Sequence, residues 1–563
     1  MDNIDRITQL EAEIALLKNK IIGLMDENAN LKTLNDWYLE QFRLAQHRRF
    51  GVSSEKTMSK ATLIASSSNQ LSLFSEFGAV FNEAETLSDT NLSDNNASDA
   101  DTEEITYKRK KRKGKRDAFY KNLPTEQIVH ELPKQERICP ICNGALHACA
   151  HEVLRREVEV IPAKIYAKEH IQTVYGCRSC EQNAVDDAPP MIKSLVPAPV
   201  ISGSGIASPS LLSFILCNKY VLALPLYRQE QELMRAGIHI SRQTMANWII
   251  YTTRHWLKPM YDLLHKELLK SDILHADETT VQVVKENGRS ARQRSYMWMY
   301  HTGKNTSTGQ PNKADIGRQI ALFEYQPTRE SIHPQNFLAG YQGFLHVDAY
   351  SGYKSLERYG IILVECWAHA RRKFDEALKA LKKEDRQNAL ANIGLEYCNK
   401  LFELEREFDE SQISPEERRL RREVESKPVA LSFFEWAASI RQQALPKSKL
   451  GQAVSYAVNQ QQWLMNFLLD GRLELSNNRA ERSIRPFTVG RKNWLFSYCS
   501  EGAKASAVVY SIIETAQANG LVPFMYLNYL FQTLPNIQSE RFSDCLPWNP
   551  AVQEVCRIPR KFK

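Results

Sequence analysis

Two aspartates that end apolar segments are the residues of this chain whose type and setting first suggest chemistry. Ile273-Leu-His-Ala-Asp277 and Gly343-Phe-Leu-His-Val-Asp348 each run through apolar residues into an acid. Both segments read as strands. Carboxylates on neighbouring strands can share two divalent cations about 3.5–4 Å apart, the arrangement that drives in-line displacement at phosphorus. A third acid must come from a later helix, and the chain does not supply it at once. One choice is Glu481 in Asn477-Asn-Arg-Ala-Glu-Arg-Ser-Ile-Arg-Pro486. On a helix, Asn477 and Arg485 lie four residues either side of it, on its face. A carboxylate flanked by an amide and a guanidinium suits metal plus phosphate. A solvated, ion-paired surface helix has the same pattern, and Glu474 and Glu501 are rivals. Spacing alone leaves the third ligand open.

The elements that must position these acids follow in order. Strands are expected from Ile273, over Ser295–Tyr300 and over Ile320–Tyr325. A short helix follows at 334–339, a fourth strand at 343–348, another short helix near Tyr353, a fifth strand at 361–367 and a helix from His369. Three strands in a meander followed by crossovers is the ribonuclease-H-like arrangement. It makes strand one and the end of strand four neighbours, and so faces Asp277 towards Asp348. Residues 375–470 read as an inserted, charged helical subdomain within a catalytic domain at 270–500, with a helical region at 501–563. His369, Arg371 and Arg372 are placed to touch phosphates, although His369 equally suits a packed core. Arg479, Arg482, Arg491 and Lys492 read as DNA contacts rather than catalysts.

A second chemistry belongs to cysteine. Cys139-Pro-Ile-Cys142 and Cys177-Arg-Ser-Cys180 form two CxxC pairs 34 residues apart, with strand-like alternation between them. Each pair supplies two corners of a tetrahedron, which points to a structural four-cysteine Zn²⁺ ribbon within 107–195. Buried free cysteines are the plain alternative, and His147, Cys149 and His151 are substitute ligands. Between 205 and 265 a helix from Leu226, a stop at Gly237 and a second helix capped by Ser241 have the shape of a helix-turn-helix. Arg242, Gln243 and Asn247 would face DNA, with Met245, Trp248 and Ile249 packed inward.

Residues 1–45 carry a heptad repeat, Ile7, Ile14, Ile21 with Asn28 at one position and Leu10, Leu17, Leu24, Leu31 at the other. This pattern favours a parallel two-stranded coiled coil, and hence a homodimer. Residues 46–106 combine a basic patch with a Ser/Asn/Asp/Glu-rich linker expected to be disordered. Eight acids between Glu83 and Glu104 precede the basic run Lys108–Arg116. The acidic stretch is a candidate to fold back on the basic one and compete with DNA for it. The fold class expected is therefore multidomain α+β: coiled coil, zinc ribbon, helix-turn-helix and a ribonuclease-H-like domain with a helical insertion.

Composition excludes little but is consistent. No apolar run approaches the ~20 residues of a membrane span, and the acidic N-terminus lacks the apolar core of a secretory signal. A cytoplasmic location is expected. Eleven scattered cysteines argue for metal binding or burial over a disulfide framework. A net charge of +7 permits a nucleic-acid partner.

Taken together, His47-Arg-Arg-Phe-Gly-Val-Ser-Ser-Glu-Lys56, the two CxxC pairs, Ala276-Asp-Glu-Thr, Val347-Asp-Ala-Tyr-Ser-Gly-Tyr353, Cys366-Trp-Ala-His-Ala-Arg-Arg-Lys-Phe374, Asn477-Asn-Arg-Ala-Glu-Arg-Ser-Ile-Arg-Pro486 and Gly490-Arg-Lys-Asn-Trp-Leu-Phe496 closely resemble the insertion-sequence-66 family of bacterial transposases. The resemblance implies Asp277, Asp348 and Glu481 as a catalytic triad binding Mg²⁺. It also implies element ends and target DNA as substrate, small accessory proteins of the same element as partners, and a nucleoid-associated bacterial protein. A metal-dependent nuclease without strand transfer and a non-catalytic DNA-binding regulator are the rival readings.

Overall fold

The computed structural model describes residues 165–175, 192–203, 206–303, 318–382 and 384–558, with isolated helical positions between 17 and 32. The linker, the basic run and the four CxxC cysteines lie outside the described residues, as does most of the heptad segment. Of the heptad positions, Leu17 and Ile21 are helical and exposed. The chain divides into two compact units, one containing residues 56–194 and the other 195–558. In the first, β1 (Val174–Tyr175) and β2 (Ile192–Lys193) pair antiparallel.

The larger unit opens with α1 (Pro209–Tyr220), α2 (Leu226–Arg235), α3 (Arg242–Thr252) and α4 (Lys258–Leu268). Gly237 takes φ +81° after α2, the left-handed stop that a side chain would strain. The Ser241 hydroxyl then accepts the Thr244 N–H at 3.1 Å and starts α3. Met245, Trp248 and Ile249 are buried. Arg242, Gln243 and Asn247 are exposed, with Gln243 Nε2 donating to Asn247 Oδ1 at 3.0 Å.

The sheet follows: β3 (Ile273–Lys285), β4 (Arg294–Thr302), β5 (Ala321–Gln326), α5 (Ile332–Phe337), β6 (Phe344–Val347), α6 (Ser351–Lys354), β7 (Ile362–Glu365) and α7 (Trp367–Lys379). The strands lie in the order β5-β4-β3-β6-β7. β3–β4 and β4–β5 are antiparallel, whereas β6 joins β3 in parallel and β7 joins β6 in parallel. This is the meander and crossover order that the residue pattern predicts. The middle of β4, Met297–Tyr300, is buried on both faces, which explains why it reads as an unbroken apolar run.

An inserted group of helices comes next: α8 (Leu390–Glu410), α9 (Pro415–Arg421), α10 (Lys427–Ile440) and α11 (Lys449–Met465). It begins beyond α7 rather than at residue 375, which falls inside α7. Phe433, Phe434 and Phe467 of the insertion share a second core with Trp367 and Phe374 of α7 and with Ile273 and Val364 of the sheet. Buried Arg422 ties the insertion to the chain that returns to the sheet. Its guanidinium bonds both Glu405 oxygens at 2.7 Å and the carbonyls of Phe467, Asp470 and Leu473 at 2.8, 2.9 and 2.8 Å. A buried guanidinium is stable only when its charge and donors are matched in this way.

The chain ends in α12 (Asn478–Trp494), β8 (Ser497–Cys499), α13 (Ser500–Ala518), α14 (Pro523–Thr533) and α15 (Pro550–Cys556). α13 covers the outer edge of β5 with side-chain groups. Ser511 Oγ accepts the Phe323 N–H at 2.7 Å, Thr515 Oγ1 accepts the Ala321 N–H at 3.1 Å, and Asn519 Nδ2 donates to Gln319 O at 2.6 Å. Ser511, Thr515 and Asn519 recur every four residues, one face of the helix, and they satisfy an edge that would otherwise invite another strand. Apolar residues from Val200 to Cys556 share one core with the sheet, so the segments 205–265 and 501–558 pack within the same unit as the strands.

Candidate metal centre

On the parallel strands, Ile273 lies opposite Phe344 and His275 opposite His346. Asp277 follows His275 by two residues on β3 and Asp348 follows His346 by two, just past the end of β6, so both acids leave the paired strands at the same level. On the other side Val347 lies opposite Glu365, so the next row sets Asp348 opposite Cys366. Strands are about 4.8 Å apart and alternate residues share a face. Two residues back along each strand, the buried His275 and His346 rings stack at 4.2 Å with planes inclined by 7°. Burial holds both rings neutral, His275 well below the usual histidine range and His346 down to about 3.

Burial, together with the charges of Glu278, Asp348 and Glu481, pushes the Asp277 carboxyl well above the usual carboxylate range. A carboxylate raised by burial and like charges gains from a cation placed among them. Each aspartate is oriented by a backbone donor: Glu278 N–H to Asp277 Oδ1 at 2.8 Å and Tyr350 N–H to Asp348 Oδ1 at 3.0 Å.

Glu481 sits in the first turn of α12, whose start is stitched to the sheet. Asn477 is buried; its Nδ2 donates to Ala276 O at 2.8 Å and its Oδ1 lies 3.0 Å from His275 Nδ1. The backbone N–H of Asn477 donates to Cys366 Sγ at 3.1 Å, and that of Trp367 donates to Leu475 O at 3.0 Å. One turn on, Glu481 Oε1 lies 3.8 Å from His369 Nε2, and Oε2 lies 3.9 Å from Arg372. Glu481 Oε1 and His369 Nδ1 are buried atoms with no hydrogen-bond partner among the described residues. Burial lowers the His369 pKa, and the Glu481 charge opposes it. The charges of Asp348 and Glu481 both act on Asp277, and carboxylates gathered in this way suit hard divalent cations, whereas the ligand atoms that lie within 4.8 Å of one another among the described residues are those of Cys366, His369 and Glu481.

Both rivals for the third position are engaged elsewhere. Glu474 pairs with Arg479 at 3.3 Å and approaches His275 at 3.4 Å, while half-exposed Glu501 pairs with Lys504 and Arg254. Arg485 is exposed, and the guanidinium beside Glu481 is Arg372 of α7. Arg479 is held by Glu474 and Gln319, and Arg491 braces α12 against Thr279 and Thr280 of β3. Arg371 bonds Asn399 at 2.7 Å, and Arg482 and Lys492 are exposed. A groove beside the acids is lined by His369, Arg372, Lys373, Glu376, Lys449 and Gln452.

Sequence reasoning assigned no role to Glu278, Arg329 or Cys366. The Glu278 side chain, 2% exposed, accepts from Arg329 Nε at 2.7 Å and from Tyr353 OH at 2.6 Å. Arg329 also lies 3.9 Å from Asp348 and stacks on Tyr350 at 3.8 Å. The Asp277-Glu278 doublet marks Glu278 in the sequence, but nothing marks Arg329, which follows β5 in a loop.

Comparison with known proteins is decisive for the family. The transposase IS66 family model matches residues 204–505, more than half of the chain and all of the centre just described. The chain belongs to the IS66 family of transposases. Three further models of that family match: one described as transposase C of IS166 homeodomain over 37–128, a zinc-finger binding domain of transposase IS66 over 136–181, and an IS66 C-terminal element over 511–548. The second spans all four CxxC cysteines, and family membership implies zinc there and divalent metal at the DDE domain. Two proteins of Sinorhizobium fredii (strain NBRC 101917 / NGR234) are among its relatives, both described as uncharacterized. One, y4hP, is 30% identical over 76% of this chain and 75% of its own length. The other, y4qI, is 28% identical over 97% of this chain and 94% of its own. Among the described residues no helix is long and apolar enough to cross a membrane.

Proposed function

We propose that this IS66-family protein binds the ends of its insertion sequence and catalyses DNA strand cleavage and strand transfer at Asp277, Asp348 and Glu481. The observation that carries the reading is that Asp277, two residues past the last β3–β6 pair, feels the charges of both Asp348 and Glu481 strongly enough to raise its pKa. The sheet order is that of a ribonuclease-H-like domain, which supports the assignment. Two Mg²⁺ ions held by these acids would supply Lewis acidity to the attacking and leaving oxygens.

The protein's own part is placement. β3 carries Asp277, Asp348 follows directly on the end of β6, and the Asn477 clamp fixes the start of the helix that carries the third acid. His369, Arg372, Lys373 and Lys449 line a groove suited to a phosphate backbone. Cleavage exposes a 3′-hydroxyl, which then attacks target DNA directly, so no covalent protein–DNA link is needed. Arg242, Gln243 and Asn247 on exposed α3 are assigned to element ends, with Arg371, Arg372, Arg479, Arg482, Arg491 and Lys492 as backbone contacts. In Arg479 and Arg491 that role competes with the intramolecular bonds described above. Cys139, Cys142, Cys177 and Cys180 are assigned to a structural Zn²⁺, residues 1–45 to homodimerisation, and small proteins of the same element to accessory roles, all in the bacterial cytoplasm on the nucleoid.

The test is incubation of the protein with labelled element ends and Mg²⁺, reading cleaved and joined products. Both products are expected. Cleavage without joining of a pre-cleaved end would replace the reading with a nuclease, and binding without Mg²⁺-dependent cleavage with a regulator.

A further inference from the structure

The Cys366–His369 pair at the head of α7 is not needed for an all-carboxylate centre, yet it is built into it. Cys366 Sγ, a ring nitrogen of His369 and a carboxylate oxygen of Glu481 all lie within 4.8 Å of one another. His369 Nε2 and Glu481 Oε1 are already 3.8 Å apart. In a tetrahedral zinc site with bonds near 2.0–2.3 Å the donors sit roughly 3.5 Å apart, so small side-chain rotations suffice.

We propose that Cys366, His369 and Glu481 form a second transition-metal site, one that takes Zn²⁺ or Co²⁺ and shares Glu481 with the catalytic centre. The Asn477 N–H donates to Cys366 Sγ at 3.1 Å and eases a thiolate there, but burial outweighs it and pushes the thiol up to about 11, so the metal itself has to displace the thiol proton. One observation supports the site independently of the spacing. Glu481 Oε1, the oxygen nearest His369 Nε2, is buried without a hydrogen-bond partner among the described residues, a cost that coordination of this oxygen would offset.

Ligand type sets the selectivity. A thiol and an imidazole suit zinc or cobalt and are poor ligands for Mg²⁺. Three protein ligands leave a fourth position open to water. Binding releases the thiol proton to solvent and changes no oxidation state. A zinc ion held there engages Glu481 and withdraws it from Asp277 and Asp348, so the site is one at which zinc antagonises the proposed Mg²⁺ centre. The inference deepens the proposed function but is measured without it.

The experiment is metal stoichiometry on the full chain. Protein is equilibrated with buffered free Zn²⁺, separated from unbound metal, and assayed for zinc; Co²⁺ replaces Zn²⁺ in a parallel series read by thiolate-to-cobalt absorption. The wild type is expected to hold one more zinc than Cys366→Ser and one more than His369→Ala. Cys139→Ser should lose only the metal of the CxxC module. Asp277→Ala should keep the extra zinc, which separates this site from the carboxylate centre even if the transposase reading fails. Melting temperatures identify any variant that does not fold, and the partly exposed His369→Ala keeps the test available if Cys366→Ser is lost. Equal zinc in the wild type and the folded variants overturns the proposal, as does loss in Cys366→Ser with retention in His369→Ala.

Discussion

Asn477 Nδ2 donates to the carbonyl of Ala276 at 2.8 Å, joining the residue that starts α12 to the residue immediately before Asp277. The contact spans 201 positions in the sequence and pins to β3 the start of the helix that carries Glu481 in its first turn. Asn477→Ala removes this bond and takes from buried His275 Nδ1 the side-chain partner it has in Asn477. The expected cost is about 2–3 kcal/mol in urea unfolding. Cleavage should fall more than stability predicts, since Glu481 loses its register. A variant with full activity would mean that the clamp does not position Glu481.

Asp277→Ala, Asp348→Ala and Glu481→Ala should each reduce cleavage of element ends by at least ~10²-fold, the scale for losing one preorganised electrostatic partner of a transition state. Gel-shift affinity for the same ends should be preserved. Normal cleavage by Glu481→Ala would remove the third ligand from the assignment.

Arg329→Met breaks the pair with Glu278, whose side chain is almost fully buried. The expected loss is about 2–3 kcal/mol at neutral pH, less than for a fully buried pair because Arg329 is partly exposed. Burial already raises the Glu278 pKa, and removing the guanidinium raises it further. A raised carboxyl contributes stability at low pH and loses it as pH rises through the folded-state value. The penalty of Arg329→Met should therefore shrink as pH falls, and denaturant midpoints across that range measure it.

Glu514 on α13 gives a pH signature away from the metal centre. Burial pushes its carboxyl up from 4.5 to about 8. Folding then favours the protonated form, so this stability is full below 4.5 and is lost as pH rises through about 8. Glu514→Gln should flatten that part of the profile, gaining on the wild type above pH ~9 in thermal melts. Parallel profiles would show that Glu514 titrates as an exposed acid.

The sequence by itself determined the strand order and the two aspartates, because apolar runs that end in acids are local patterns, and strand pairing follows from few topologies. It also determined α2, α3 and the Ser241 cap, since a glycine stop and a hydroxyl cap act within a few residues. Glu481 was not decided by spacing. It lies 133 positions after Asp348, and only the packing of α12 through Asn477, Ala276 and Cys366 brings it to the aspartates. The same holds for Arg329, the Ser511–Thr515 cover of β5 and the Cys366–His369–Glu481 cluster. Each joins residues far apart in the chain, and no local period or propensity encodes a contact that exists only once helices and sheet have packed together.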